Sequence, residues 1–263
     1  MLTTAEPTPS STSARRPRGA VRVRSSRACI GQMRLHYRVA GDGPPLVLVH
    51  GYGAASSWWR HNMGPLAEQR RVYALDLGGF GRSWPKHHFS LERTVECLVS
   101  WMQELGLPCV DLCGHSMGGH VCLRLAAAHP ERVRKLVLVD ASGLPLHTRL
   151  LPLAWRSLRS HGHTHFRFAS IAMATALQAG PLVLWSALHD LLADDVQAVL
   201  SGIAAPTLLV WGERDLLVPL ELGRALHGAI QGSRLVVVPD AGHNVMFERP
   251  EQFNRLVLDF LAE

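Results

Sequence analysis

The sequence predicts an α/β protein with a mostly parallel central sheet and helices on both faces of it. Short apolar and β-branched runs alternate with longer amphipathic stretches, which is typical of strand–helix–strand units. The runs are apolar throughout, as in parallel strands that are buried on both faces. Several of them end in a small or polar cluster. The six predicted strands are Leu46–His50, Arg71–Leu75, Cys109–Cys113, Lys135–Val139, Thr207–Trp211 and Arg234–Val238.

Amphipathic stretches between these strands predict the helices that cover the sheet. They are Leu91–Leu105, Met117–Ala128, Leu220–Ile230 and Glu251–Leu261. Before the first parallel strand, residues 31–39 alternate in polarity, which predicts an antiparallel edge hairpin with residues near 21–28. Residues 29–143 and 203–263 are therefore assigned to one α/β core.

Length and composition exclude several classes of protein. The chain has 263 residues, of which 47% are hydrophobic and 18% charged, unlike a disordered or fibrous protein. A chain of this length buries a sizeable core without cross-links. Its five cysteines lack C-x-x-C spacing, which argues against a disulfide framework or a zinc finger. Unpaired cysteines favour a reducing, cytoplasmic location.

The net charge of +6 is concentrated at the N-terminus. Residues 1–28 contain six arginines and one glutamate, so the remainder of the chain is close to neutral. A basic tail on a near-neutral body is not a basic binding face, and no nucleic-acid partner is predicted. Because this segment lacks the apolar stretch of a signal peptide, we expect a disordered tail. Its Arg- and Ser-rich composition leaves an organellar transit peptide as the alternative.

Residues 144–202 interrupt the strand–helix rhythm and are predicted to form a helical cap. Within them, Phe168–Leu188 has 21 residues without a charge, which is long enough to span a bilayer. Gly180-Pro181 lies in the middle of this stretch and favours two short helices over one long one. No membrane-spanning segment is therefore predicted.

The motif with the most specific chemistry is Gly114-His115-Ser116-Met117-Gly118, a G-x-S-x-G between a predicted strand and a predicted helix. A nucleophile on a sharp strand-to-helix turn has strained backbone angles, and neighbours without bulk let the turn close. The N-terminus of the following helix favours negative charge. Ser116 is therefore the candidate nucleophile.

A serine needs a base and an orienting acid to act as a nucleophile. Asp215 and His243 follow Ser116 in that order, each just past a predicted strand. Carboxyl ends of parallel strands share one edge of the sheet, so the three residues are expected to meet. Asp140 and Glu213 are the alternative acids.

An oxyanion hole needs two backbone N–H groups that point to one position. The loop His50-Gly51-Tyr52-Gly53 directly follows the first parallel strand. The N–H groups of Tyr52 and Met117 are the candidates.

Together with Asp76–Ser83, these motifs resemble the α/β-hydrolase superfamily, specifically its serine-nucleophile, esterase-type branch. The motifs are HGYG, DLGGFGRS, GHSMGG, WGERD and AGH, within residues 30–263. The resemblance implies the α/β-hydrolase fold, a cap domain over 144–202, Ser116 as nucleophile, Asp215 as acid and His243 as base. Members more often have proline where this chain has Gly78, a departure that touches no catalytic role.

The predicted reaction is hydrolysis of a carboxylic ester with an apolar acyl or alcohol group through an acyl-enzyme. The uncharged stretch of the cap, with Trp58, Trp155 and Trp185, predicts an apolar small-molecule pocket. The same triad leaves carbon–carbon bond hydrolysis, lactonase and amidase activity open. A non-catalytic small-ligand binding protein or receptor, and an interaction protein that uses the basic tail, are the alternatives of other classes.

No cofactor and no metal are predicted. The sequence has neither a P-loop nor a G-x-G-x-x-G motif. His161, His163 and His165 are spaced as metal ligands can be, but no Cys or acid cluster accompanies them, so we interpret them as solvated. The sequence leaves the oligomeric state open.

Overall fold

A computed structural model describes residues 21–145 and 166–263. Its strands are β1 Arg24–Ile30, β2 Met33–Ala40, β3 Pro45–Val49, β4 Arg71–Leu75, β5 Val110–His115, β6 Val133–Val139, β7 Thr207–Gly212 and β8 Arg234–Val238. They form one eight-stranded sheet in the spatial order β1-β2-β4-β3-β5-β6-β7-β8.

The predicted mostly parallel sheet is confirmed. The six apolar runs form β3 to β8, and every neighbouring pair among them is parallel. The edge hairpin is confirmed as well, because β1 pairs antiparallel with β2, which in turn pairs antiparallel with β4. The carboxyl ends of β3 to β8 therefore lie at one edge of the sheet, where parallel sheets carry their sites.

Helices cover both faces of this sheet. They are α1 Met63–Leu66, α2 Leu91–Glu104, α3 Met117–Ala128, α4 Phe166–Ala179, α5 Pro181–Ala193, α6 Leu220–Ala229, α7 Val245–Glu248 and α8 Pro250–Ala262. Successive side chains of a strand point to opposite faces, so each central strand needs two apolar layers. In β3, Val47 belongs to the cluster that contains Trp101 of α2, whereas Leu48 belongs to the cluster that contains Phe253 of α8.

The predicted break in the uncharged stretch is confirmed. Gly180 adopts a positive φ of 84° at the start of α5, and Pro181 occupies the first position of that helix. The helices α4 and α5 are bent by 95° at this point. Taken singly, none of the described helices is long and apolar enough to cross a bilayer; α4 and α5 reach that length and hydropathy only when counted together across the bend.

The predictions for the end of the tail and for the cap boundary have different outcomes. The strand β1 begins at Arg24, so residues 24–28 belong to the sheet and the prediction of a tail up to residue 28 is wrong there. Only Ala28 of this stretch is buried, which explains why an edge strand with two arginines resembles a tail in sequence. Residues 1–20 and 146–165 lie outside the described part, and the cap boundary remains a prediction.

Candidate active site

Ser116 occupies the turn between β5 and α3, with a backbone φ of 52° and ψ of −118°. A positive φ is sparsely populated by residues with a Cβ, so the surroundings must hold this conformation. The Ser116 N–H donates to the Val139 carbonyl at 2.9 Å, and the Ser116 carbonyl accepts from the Ser142 N–H at 3.2 Å. These bonds hold the hydroxyl at the N-terminus of α3, where the helix dipole favours negative charge.

The glycines of the motif are required by close contacts. A Cβ on Gly114 would lie 2.4 Å from the Gly118 carbonyl oxygen. A Cβ on Gly118 would lie 2.3 Å from the Val49 carbonyl oxygen. Any side chain at these positions would force β5, α3 and β3 apart. The spacing of G-x-S-x-G therefore has the steric origin expected from the sequence.

The structure brings Ser116, His243 and Asp215 into one hydrogen-bonded row. His243 Nε2 lies 3.0 Å from Ser116 Oγ, and His243 Nδ1 lies 2.8 Å from Asp215 Oδ2. All three residues are buried. Asp215 Oδ1 accepts the N–H groups of Leu217 at 2.8 Å and Val218 at 2.9 Å. A carboxylate only accepts, so His243 donates from Nδ1 and can receive the serine proton at Nε2.

The alternative acids lie elsewhere. Glu213 is exposed, and the structure gives it no contact with His243. Asp140 is fully buried, and its Oδ1 accepts the Gly212 N–H at 2.8 Å. Burial, together with the nearby charge of Asp215, raises the pKa of Asp140 well above its ordinary value. Of these carboxylates, Asp215 is the one hydrogen-bonded to His243.

Two side chains that the motifs do not single out hold the loop of His243. His115 Nε2 donates to the His243 carbonyl at 2.8 Å. Burial and the neighbouring His243 lower the pKa of His115 well below its ordinary value, so its ring stays neutral. Glu248 accepts the N–H groups of Gly242 at 2.8 Å and Asn244 at 3.3 Å. No sequence signal marks them, because His115 fills a variable motif position and Glu248 ends the four-residue helix α7.

The loop after β3 passes directly over Ser116. A Cβ on Gly51 would lie 3.2 Å from the Ser116 Cβ. His50 fixes the loop, because its Nε2 accepts the Leu77 N–H at 3.0 Å and its Nδ1 then donates to the Gly51 carbonyl at 2.8 Å. Burial lowers the pKa of His50, which favours this neutral form.

Tyr52 and Met117, the two oxyanion-hole candidates, adjoin the nucleophile from different elements. Met117 is the first residue of α3, and the first N–H groups of a helix have no acceptor within it. Tyr52 follows Gly51 in the loop that contacts Ser116. Its hydroxyl donates to the Leu184 carbonyl of α5 at 3.0 Å, which ties this loop to the predicted cap.

The described part of the predicted cap places apolar side chains over these loops. Ala176 of α4 and Leu184 of α5 lie 3.5 and 3.8 Å from the Cβ position of Gly53. Trp58 links the same two layers, because its Nε1 donates to Thr175 Oγ1 at 3.2 Å. The side chains of both helices that reach the loop are therefore small or apolar.

The tryptophans predicted for the pocket occupy different environments. Trp58 is buried, and its ring centre lies 6.2 Å from that of His115. Trp185 is 67% exposed, and its predicted pocket role stays a prediction. Its neighbours Val183 and Ala187 are buried. Trp185 is two residues from each of them, and residues two apart point to different sides of a helix. Trp155 lies outside the described residues.

Three buried residues have the ligand types and proximity that a metal requires. One ligand atom each of His115, Asp140 and His243 lies within 4.8 Å of the other two. Both ring nitrogens of His243 already bond Asp215 and Ser116, so a metal would compete with the triad. His161, His163 and His165 lie outside the described residues.

Comparisons with known proteins identify relatives and a shared fold. Residues 44–167 match a family model described as alpha/beta hydrolase fold, and residues 189–263 match one described as TAP-like protein. A 2-hydroxy-6-oxo-2,4-heptadienoate hydrolase from Pseudomonas putida is 34% identical, over 88% of this chain and 94% of that protein.

Solved structures of other hydrolases are also similar to this chain. A 2-hydroxy-6-oxo-6-phenylhexa-2,4-dienoate hydrolase from Rhodococcus sp. strain RHA1 superposes with a TM-score of 0.79 at 27% identity, covering 92% of this chain and 100% of that one. An enol-lactonase from Burkholderia xenovorans LB400 superposes with a TM-score of 0.74 at 26% identity, covering 90% of this chain and 100% of that one.

Proposed function

Because this chain belongs to the α/β-hydrolase superfamily, we propose that it is a serine hydrolase that cleaves an ester with an apolar acyl or alcohol group. The observation that carries the proposal is the row of Ser116, His243 and Asp215, with distances of 3.0 and 2.8 Å between the bonded atoms. Side chains in this order and at these distances supply a nucleophile, a general base and an orienting acid.

The reaction proceeds in two acyl transfers. His243 Nε2 takes the proton of Ser116 as Oγ attacks the ester carbonyl, and returns it to the leaving alcohol when the carbon–oxygen bond breaks. Water then attacks the acyl-enzyme by the same route in reverse and releases the acid. Asp215 holds the ring orientation of His243 and stabilises the imidazolium that forms in each step.

The N–H groups of Tyr52 and Met117 stabilise the oxyanion of each tetrahedral intermediate. Their position beside Ser116 supports this role, as does the N-terminus of α3, which favours negative charge at the same point. His50 serves the same end by fixing the carbonyl of Gly51, which belongs to the same peptide unit as the N–H of Tyr52.

The preference for an apolar, uncharged ester follows from what surrounds the loops. The described cap side chains that contact them, Ala176 and Leu184, are apolar. In the described part of the chain, the buried Lys and Arg residues are Arg70 and Lys135. Arg70 lies 3.4 Å from Asp111, near the start of β5 and thus at the edge of the sheet opposite Ser116. Lys135 occupies the same end of β6.

Carbon–carbon bond hydrolysis is the second candidate, and the relatives favour it. The substrates named for the Pseudomonas and Rhodococcus proteins are dienoates, which carry a carboxylate. A buried carboxylate needs a cation or several hydrogen-bond donors. Such a cation would have to come from half-buried residues or from outside the described part, where the chain has Arg149, Arg156 and Arg159.

A substrate panel separates the two candidates. We would measure hydrolysis of p-nitrophenyl acetate, butyrate, octanoate and palmitate, and the loss of 2-hydroxy-6-oxo-2,4-heptadienoate, with Ser116→Ala as the control. Ester hydrolysis should exceed dienoate cleavage in kcat/KM and should vanish in the control. If the protein cleaves the dienoate preferentially and this cleavage needs Ser116, carbon–carbon bond hydrolysis would replace ester hydrolysis as the proposed function. Turnover of neither substrate class would overturn both.

A further inference from the structure

A second Ser–His–Asp arrangement lies on the edge hairpin, apart from Ser116. Ser25 Oγ in β1 is 2.6 Å from His36 Nε2 in β2. His36 Nδ1 is in turn 2.8 Å from Asp76 Oδ2. Asp76 directly follows β4, so three neighbouring strands supply the three side chains. The bonded atoms are the same types, in the same order, as at the proposed active site.

The hydrogen bonds decide which nitrogen of His36 acts as a base. Asp76 accepts from the N–H groups of Ser56 at 2.6 Å and Arg82 at 2.7 Å, besides the ring of His36. Burial alone would raise the pKa of Asp76, but these hydrogen bonds outweigh it and lower the pKa, so the group is a carboxylate at neutral pH. In the neutral ring, Nδ1 therefore carries the hydrogen and Nε2 presents its lone pair to Ser25.

Only the serine of this arrangement is accessible. Ser25 is exposed, whereas the side chains of His36 and Asp76 are 3% and 2% exposed. Ser25, Ser26 and Arg27 line an open hollow on the surface. A reagent can thus reach the hydroxyl, while the imidazole and the carboxylate stay shielded from water behind it.

Two arginines flank this hydroxyl. Ser25 is directly opposite Arg38 in the hairpin, and Arg27 is directly opposite His36. Residues opposite one another in an antiparallel pair, and residues two apart on one strand, point to the same face. Within the described part of the chain, no carboxylate forms an ion pair with Arg27 or Arg38. Their guanidinium groups are free to bind an anion beside Ser25.

We propose that Ser25 is a second acylation site, which accepts the acyl group of an anionic activated donor such as an acyl phosphate. Three observations combine in this assignment: an exposed hydroxyl, an imidazole lone pair 2.6 Å from it, and two unpaired guanidinium groups on the same face. General-base help of this kind contributes about 10²–10⁴-fold to a rate.

The transfer needs no oxidant or reductant. Ser25 Oγ forms a bond to the acyl carbon as its proton passes to His36 Nε2. The bond between the acyl carbon and the phosphate oxygen then breaks, and phosphate leaves with the electron pair and takes up that proton. The products are O-acyl Ser25 and inorganic phosphate. Since β1 is extended and has no helix N-terminus at Ser25, hydrolysis of this ester is slow and the adduct accumulates.

The test uses the full-length Ser116→Ala variant, so that the proposed nucleophile cannot contribute. The protein is incubated with acetyl phosphate, digested and mapped by mass spectrometry. Ser25 should be acetylated at least about tenfold faster than Ser26, which lies on the same strand but faces away from His36. Equal labelling of Ser25 and Ser26 would overturn the proposal.

Two further variants test the parts separately. His36→Gln should reduce acetylation of Ser25 at least about tenfold. Arg38→Gln, at a half-buried surface position that leaves the fold intact, should slow acetylation by acetyl phosphate several-fold and leave that by neutral p-nitrophenyl acetate unchanged. If His36→Gln does not fold, the Arg38 variant decides. Unchanged labelling by acetyl phosphate in either folded variant would contradict the proposal.

Discussion

The two Ser–His–Asp arrangements of this chain share their side-chain geometry and differ in the backbone that carries the serine. In both, the histidine bonds the serine through Nε2 and the aspartate through Nδ1. In both, the aspartate also accepts two backbone N–H groups. Ser116, however, has a positive φ at the start of α3, whereas Ser25 lies within the extended strand β1.

This difference separates two contributions to serine chemistry. The His–Asp pair supplies a base at either place. The strained turn adds backbone N–H groups and a helix N-terminus beside the developing oxyanion, and electrostatic stabilisation of this type is the larger contribution in many enzymes. We therefore expect turnover at Ser116 and slow accumulation of an adduct at Ser25.

The largest expected effect comes from removing the hydroxyl of Ser116. Ser116→Ala should lower kcat for ester hydrolysis by about 10⁴–10⁶-fold, because the nucleophile is lost. Ser25→Ala is the matched control and should leave steady-state kcat unchanged. Steady-state kinetics with p-nitrophenyl butyrate measures both. A comparable loss of turnover in the Ser25 variant would contradict the division between the two sites.

The next largest effect is a loss of kcat that should differ between Asp215 and Asp140, the two buried carboxyl groups near His243. Asp215→Asn should lower kcat about 10⁴-fold, because the N–H groups of Leu217 and Val218 hold the amide oxygen, so the amide NH2 faces Nδ1 and favours the wrong tautomer. Asp140→Asn should cost less than about tenfold. Burial and the charge of Asp215 raise the pKa of Asp140, and its Oδ1 accepts from the Gly212 N–H rather than from His243, so an amide oxygen can make the same contact. Equal losses in kcat for the two variants would show that Asp140 shares the role of the acid.

In the arrangement of Ser25, His36 and Asp76, the substitution Asp76→Asn should lower the free energy of unfolding. Burial alone would raise the pKa of Asp76, but its hydrogen bonds lower the pKa by a larger amount. The folded protein therefore favours the carboxylate form, and this form stabilises the fold. The variant should lose about 2–3 kcal/mol of unfolding free energy at pH 7. That stabilisation is complete above about pH 4, the pKa of an unfolded aspartate, and is lost as the pH falls through the lower folded value. Urea unfolding at several pH values tests this; a difference that does not narrow in acid would contradict it.

The smallest effects concern two of the three tryptophans predicted for the pocket, Trp58 and Trp185. Trp58→Phe removes the donor to Thr175 and should cost about 1 kcal/mol of stability, with a several-fold rise in KM for the longer esters. Trp185→Ala should change KM by no more than about twofold, since its side chain is exposed. Kinetics across the ester series measures both. A larger effect at Trp185 would place it in the pocket after all.

The sequence predicted the central sheet and the Ser116 row for a specific physical reason. Parallel strands end at one edge, so a nucleophile, an acid and a base that each follow such a strand converge without any knowledge of their side-chain contacts. Strong apolar runs, such as those before Gly114 and Asp140, made the strand ends readable to within a residue or two.

The arrangement at Ser25 could not be predicted in this way. Ser25 and His36 are 11 residues apart, and the bond depends on the register of the hairpin, in which Arg27 rather than Ser25 is opposite His36. A shift by one residue would turn Ser25 to the other face. The alternating polarity of residues 31–39 predicted an edge hairpin with residues near 21–28, but the polar sequence of β1 did not fix the register of that pairing.

The most direct test of the account is to identify the residue that carries the acyl group during turnover. The wild-type protein would be mixed with p-nitrophenyl butyrate, quenched within a single turnover and mapped by mass spectrometry. We predict a butyryl group on Ser116 in the first turnover, with Ser25 unlabelled at that time. A first-turnover acyl group on Ser25 or another residue, with none on Ser116, would contradict the assignment of the nucleophile and of the elements built around it.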